Sequence, residues 1–108
     1  MQLYNEQVDD LLNPEATNLR VRESHGEVFV DHLTWAACKD TKALMKVFYD
    51  GTKNLVYAET RMNKHSSRSH AILQIRVTKM RRSDGTEKGA PIVGTVSKLS
   101  IVDLAGSE

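Results

Sequence analysis

The chain has 108 residues, with 15 Lys+Arg against 14 Asp+Glu for a formal charge of +1, and is 40% hydrophobic and 27% charged. That balance excludes a disordered tail and a histone-like coat for nucleic acid, which needs a clear cationic excess to meet phosphates. No apolar run approaches the about 20 residues of a membrane helix, and a single cysteine, Cys38, excludes an internal disulfide or cysteine-based zinc site and suits a reducing compartment.

At this length one small domain with a modest core is the most the chain supports. Its start, Met1-Gln2-Leu3-Tyr4-Asn5-Glu6, carries neither the basic residues nor the apolar core of a signal peptide. Residues 1–4 read as the end of a strand. Asn5 is a plausible helix cap, after which Val8, Leu11 and Leu12 recur at helical spacing until Asn13-Pro14 stops the turn. Leu19-Arg20-Val21-Arg22-Glu23 alternates apolar and charged, Ser24-His25-Gly26-Glu27 supplies turn chemistry, and Val28-Phe29-Val30 returns, which predicts a small antiparallel hairpin. His25 and His32 flank it as surface residues. A helix is predicted to begin at Asp40-Thr41, with Leu44, Val47 and Phe48 as its apolar stripe and Gly51 as the cap of its first stretch.

Between Asn54 and His70 the periodicity dissolves into a long polar segment, of the kind that carries function in a compact domain. From Ala71 the pattern sharpens. Ala71, Leu73, Ile75 and Val77 share one side and Gln74, Arg76 and Thr78 the other, a strand with one wet face. Residues 80–91 read as a loop, with Arg81-Arg82 as solvated charge. The last strand covers 93–102, and its end, Leu99-Ser100-Ile101-Val102, is the most buried-looking run in the chain.

Two polar clusters can carry chemistry. Asp103-Leu104-Ala105-Gly106 follows the apolar strand. A carboxylate fixed at a strand end can hold magnesium through water, and a glycine can bring its N–H against a phosphate oxygen because no Cβ blocks the approach. The plain alternative is a turn after a core strand. Asn63-Lys64-His65-Ser66-Ser67-Arg68-Ser69-His70 lies just before a strand. Its hydroxyls can ligate magnesium or donate to phosphate, and its guanidinium offers a fork for a carboxylate or phosphate. Here the plain alternative is a solvated serine-rich loop. A hydrolase triad of Ser67, His70 and Asp103 lacks a nucleophile elbow, and His65 with His70 lacks a third zinc ligand.

Taken together, the two clusters resemble the switch I and switch II segments of the kinesin motor domain. Residues 63–70 are similar to its Asn-x-x-Ser-Ser-Arg-Ser-His pattern, and residues 99–108 to its Leu-x-x-Val-Asp-Leu-Ala-Gly-Ser-Glu pattern. Leu3-Tyr4-Asn5-Glu6, Asp10-Leu11-Leu12 and Leu19-Arg20-Val21-Arg22-Glu23 agree as well, so the resemblance runs through the whole chain in order. It implies an α/β fold: an incomplete, partial kinesin-type motor fold of the P-loop NTPase class, with a mixed sheet and flanking helices. Residues 1–108 would form one internal segment, lacking the phosphate-binding loop and everything after switch II. It implies an ATP-dependent microtubule motor using ATP and Mg2+, in the cytoplasm on the microtubule cytoskeleton, with no nucleic-acid partner and no membrane segment.

Residue by residue, the resemblance implies that Asn63 approaches the γ-phosphate, that Ser66 and Ser67 contact phosphate and the magnesium shell, and that Ser69 completes the nucleotide-binding set. Asp103 would hold magnesium through water, and the Gly106 N–H would sense the γ-phosphate. Arg68 and Glu108 would form the salt bridge that closes the site. The hairpin corresponds to a region that approaches the microtubule, although its charges, Arg20, Arg22, Glu23, Glu27 and Asp31, are mixed. Two departures stand out: no Gly-Lys-Ser/Thr loop is present, and Leu55 stands where the family usually has arginine. The segment alone is therefore expected to be inactive. The alternative is a non-catalytic microtubule-binding or regulatory module that keeps these sequences without ATP turnover.

Overall fold

The computed structural model of the chain describes residues 1–61, 68–82 and 92–106. In chain order the elements are β1 (Gln2–Tyr4), β2 (Gln7–Asp9), β3 (Val21–Ser24), β4 (Glu27–Val30), α1 (Thr41–Arg61), β5 (Ser69–Arg82) and β6 (Ile92–Asp103). Four strands form one sheet in the order β2-β1-β5-β6, β3 and β4 form a separate hairpin, and every pairing among the described residues is antiparallel.

The helix expected after Asn5 is instead the hairpin β1–β2. Asn5 and Glu6 have φ of 50° and 63°, and Tyr4 pairs with Gln7 across them. Two consecutive left-handed residues make the tight turn whose twist suits flanking strands, and asparagine tolerates that conformation better than most residues. Val8 is then buried within the sheet, and Leu19 bridges back to it, with its N–H 2.7 Å from the Val8 carbonyl. The second hairpin forms as expected. His25 and Gly26 occupy its two turn positions with φ of 53° and 80°, and Arg22 and Asp31 form an ion pair of 2.7 Å beside it.

Asp40 caps α1, its Oδ1 accepting the Ala43 N–H at 2.8 Å and its carbonyl the Leu44 N–H at 3.1 Å. The helix does not end at Gly51 but continues to Arg61, through part of the stretch in which the periodicity had dissolved. Tertiary contacts offset the glycine's weak propensity. Leu44, Val47, Gly51, Asn54 and Leu55 lie along one half-buried face, and the Asn54 Nδ2 donates to the Leu11 carbonyl at 2.6 Å. A Cβ at Gly51 would meet the Leu12 Cδ2 at 3.6 Å, an ordinary contact. Gly51→Ala is therefore expected to stabilise the full-length protein by about 0.5–1 kcal/mol. Urea unfolding checks this, and a lowered midpoint would mean that the Leu12 contact cannot accept a methyl group.

β5 and β6 make a long ladder from Ala71↔Asp103 to Arg82↔Ile92, so the strand continues through Met80, Arg81 and Arg82 where a loop was expected. Pairing with β6 supplies the backbone hydrogen bonds that composition alone does not reveal. The rest of the expected loop, 83–91, lies outside the described residues. The end of β6 is not buried. Leu99 is 56% exposed and Ile101 51%, because β6 is the sheet's outer strand and neither its free edge nor this apolar face is covered by a described element. Among the residues whose burial is described, Val8 is the only buried hydrophobic one, which falls short of the modest core expected. The radius of gyration, 17.3 Å, exceeds the roughly 13 Å of a compact domain of about 100 residues.

Candidate functional site

The antiparallel register decides where the two polar clusters meet. β5 begins at the end of the sheet where β6 finishes, with Ala71 opposite Asp103, so the residue before β5, Arg68, and the turn after β6 share that end. On its other side β5 pairs with β1, through Ser69↔Tyr4 and His70↔Leu3. Gln2 and Ser69 are buried in this three-strand junction.

Asp103 is the last residue of β6, exposed, with no ion-pair partner among the described residues. Gly106 is exposed three residues later, and Arg68 is exposed at the start of β5. One feature was not read from the sequence. The Ala105 N–H donates to the His70 Nδ1 at 2.9 Å, a contact between residues 35 apart that links the two clusters directly. No local pattern announces such a bond, because it depends on the β5–β6 register. Of the other residues singled out in the sequence, Asn63, Ser66, Ser67 and Glu108 lie outside the described residues.

Among the described residues no three His, Cys, Asp or Glu side chains gather as a metal cluster. The Asp103 carboxylate, unpaired among the described residues, does fit a magnesium ion, which keeps most of its water and takes only one or two carboxylates beside substrate phosphates. Zinc, which demands three or four protein ligands, does not fit the donors among the described residues. Gly106 is exposed and has no Cβ of its own, which permits close approach of an anion to its backbone.

Behind this edge the molecule is tied together by Asp10. This carboxylate is 2% exposed. Its Oδ1 accepts the N–H groups of Leu12 at 2.8 Å and Asn13 at 3.3 Å, and its Oδ2 accepts that of Thr34 at 2.8 Å. It thereby fastens the loop carrying Leu11 and Leu12, which α1 leans on, to the segment between β4 and α1. That segment also lays Trp35 against β5, with the Arg76 guanidinium 4.1 Å from the ring centroid. The wet face of β5 is thus partly covered, and Gln74 and Ser100 hydrogen-bond along it at 3.4 Å.

A family model for the kinesin motor domain matches residues 1–108. The kinesin-like protein Klp68D of Drosophila melanogaster is 40% identical over 108 residues, covering 100% of this chain and 13% of that protein. The kinesin-like protein KIN-8A of Oryza sativa subsp. japonica is 42% identical over 108 residues, with the same 100% and 13% coverage. A solved structure of a fast kinesin, described for its ATPase mechanism and interactions with microtubules, matches with a TM-score of 0.84 and 34% identity over 100% of this chain and 29% of that one. The chain therefore spans a small part of the length of the proteins it resembles.

Proposed function

The chain belongs to the kinesin motor domain family, and from that premise we propose that it supplies the γ-phosphate-sensing elements of an ATP-driven microtubule motor. The observation that carries this reading is the meeting of Arg68 and the Asp103 to Gly106 turn at one end of the sheet, bridged by the His70–Ala105 bond.

In this reading Asp103 would hold a magnesium ion through water, and Gly106 would offer its N–H to the terminal phosphate of ATP. Magnesium, when bound, neutralises phosphate charge and favours displacement at the γ-phosphorus. Asn63, Ser66 and Ser67 would provide the polar lining on the other side, whereas Ser69, buried in the junction of β1 and β5, stands outside that lining. Arg68 would pair with Glu108 and close the site over the attacking water; in a dry site such a pair is strong, and its opening after hydrolysis would release the flanking segments. Contacts made only with the γ-phosphate then bias a two-state relay to the microtubule-binding surface. The uncovered apolar residues Val77, Leu99 and Ile101 support the further reading that this segment is one part of a larger motor domain, which would cover them and supply a phosphate-binding loop.

The test is nucleotide turnover by the full-length protein with and without microtubules. A saturable, microtubule-stimulated ATPase is expected, and Arg68→Ala is expected to lower kcat by about 100-fold while changing ATP affinity by less than about threefold. Microtubule binding without any ATP turnover would overturn the proposal in favour of a non-catalytic module. An equal loss of affinity and rate in Arg68→Ala would overturn the closing role of that arginine.

A further inference from the structure

His70 performs a task that the nucleotide-sensing scheme above does not assign. The β5–β6 ladder stops at Ala71↔Asp103, so beyond Asp103 the chain has no described strand to receive its backbone donors. The His70 side chain takes over where the ladder ends, its Nδ1 accepting the Ala105 N–H at 2.9 Å. A backbone N–H can only donate, so the ring nitrogen is the acceptor and a neutral ring carries its proton on Nε2. His70 is itself fixed by the strand pairing of Leu3 and Tyr4 with β5 and is half-buried. The tether therefore has a rigid base, while Leu104 and Gly106 on either side of Ala105 are exposed.

We propose that His70 is a positioning residue that holds the turn after β6 to the start of β5 and thereby sets the direction of the Gly106 N–H. Fixing the Ala105 amide leaves only the backbone rotations of Ala105 between the tether and the Gly106 peptide plane. A donor aimed in advance at a phosphate oxygen acts without reorganising during the reaction, whereas a swinging donor does not. This part of the inference rests on the motor reading; the tether itself does not.

Two variants of the full-length protein separate the acceptor from the ring. His70→Phe keeps an aromatic ring and removes the acceptor, while His70→Asn places an amide oxygen where the Nδ1 stands. In nucleotide-free protein, exchange of the Ala105 amide is expected to quicken about tenfold in His70→Phe and to remain near the wild-type rate in His70→Asn. Turnover at saturating ATP and microtubules should fall about tenfold in His70→Phe, with the KM for ATP changed by less than about threefold, and recover in His70→Asn. Unchanged Ala105 exchange in His70→Phe, or His70→Asn behaving like His70→Phe in both readouts, overturns the proposal. If the wild-type protein hydrolyses no ATP, the motor reading falls, and the exchange comparison alone upholds or overturns the tether.

Discussion

Asp10→Ala is expected to destabilise the full-length protein by about 3 kcal/mol. The wild-type carboxylate serves three backbone donors from two separate segments, Leu12 and Asn13 on one side and Thr34 on the other. Alanine leaves all of them without this acceptor in a place that is only 2% exposed at Asp10 itself. Each bond to an ionised acceptor is worth more than a neutral one, and the part-buried donors regain water only in part when it is lost. Asp10→Asn should cost about half as much. Its amide oxygen can keep the Leu12 and Asn13 bonds, but its NH2 then faces the Thr34 N–H, donor against donor. Urea unfolding read by circular dichroism measures both variants. Losses below about 0.5 kcal/mol in Asp10→Ala, within the range of ordinary surface substitutions, would mean that the three bonds are not the tie described above.

Asp103→Asn is expected to reduce ATP turnover of the full-length protein by at least about 100-fold with little change in stability. The side chain is exposed and makes no ion pair among the described residues, so its neutral isostere removes charge without leaving a gap in packing. The strand pairing of residue 103 with Ala71 runs through the backbone and is retained. An amide binds a hydrated divalent cation far less well than a carboxylate, because it carries no net charge and only one acceptor oxygen. The check is steady-state turnover over a magnesium titration beside an unfolding curve. Turnover close to wild type at every magnesium concentration would remove Asp103 from the metal-holding role, and a matching loss of stability would make it a structural residue.

The two substitutions mark different levels of legibility. Asp103 stands out in the sequence because a carboxylate directly after an apolar run of strand character has a known chemical use. Asp10 does not, because its importance comes from Thr34, whose N–H reaches it across 24 positions. The same division runs through the fold. The hairpin β3–β4 and the strands β5 and β6 were legible from alternation and turn residues, which act over a few neighbours. The helix start at Asp40 was legible too, since a side-chain cap is a local interaction, its Oδ1 and the Ala43 N–H being 2.8 Å apart. Where helical spacing was read after Asn5, the left-handed turn at Asn5 and Glu6 and the pairing of β1 with β5 prevailed.

By itself the sequence determined the family, the order of its two polar clusters and the strands on which they sit, because residue identity and short-range periodicity are carried along the chain. Only the tertiary structure decided that Gly51 lies inside a helix and that the end of β6 stays exposed at the sheet's edge. It also decided that His70 meets Ala105 and that Asp10 joins two loops. Periodicity states which face a residue prefers. What covers that face, and which distant donor finds which acceptor, is set by strand register and chain crossing, and these exist only once the sheet has formed.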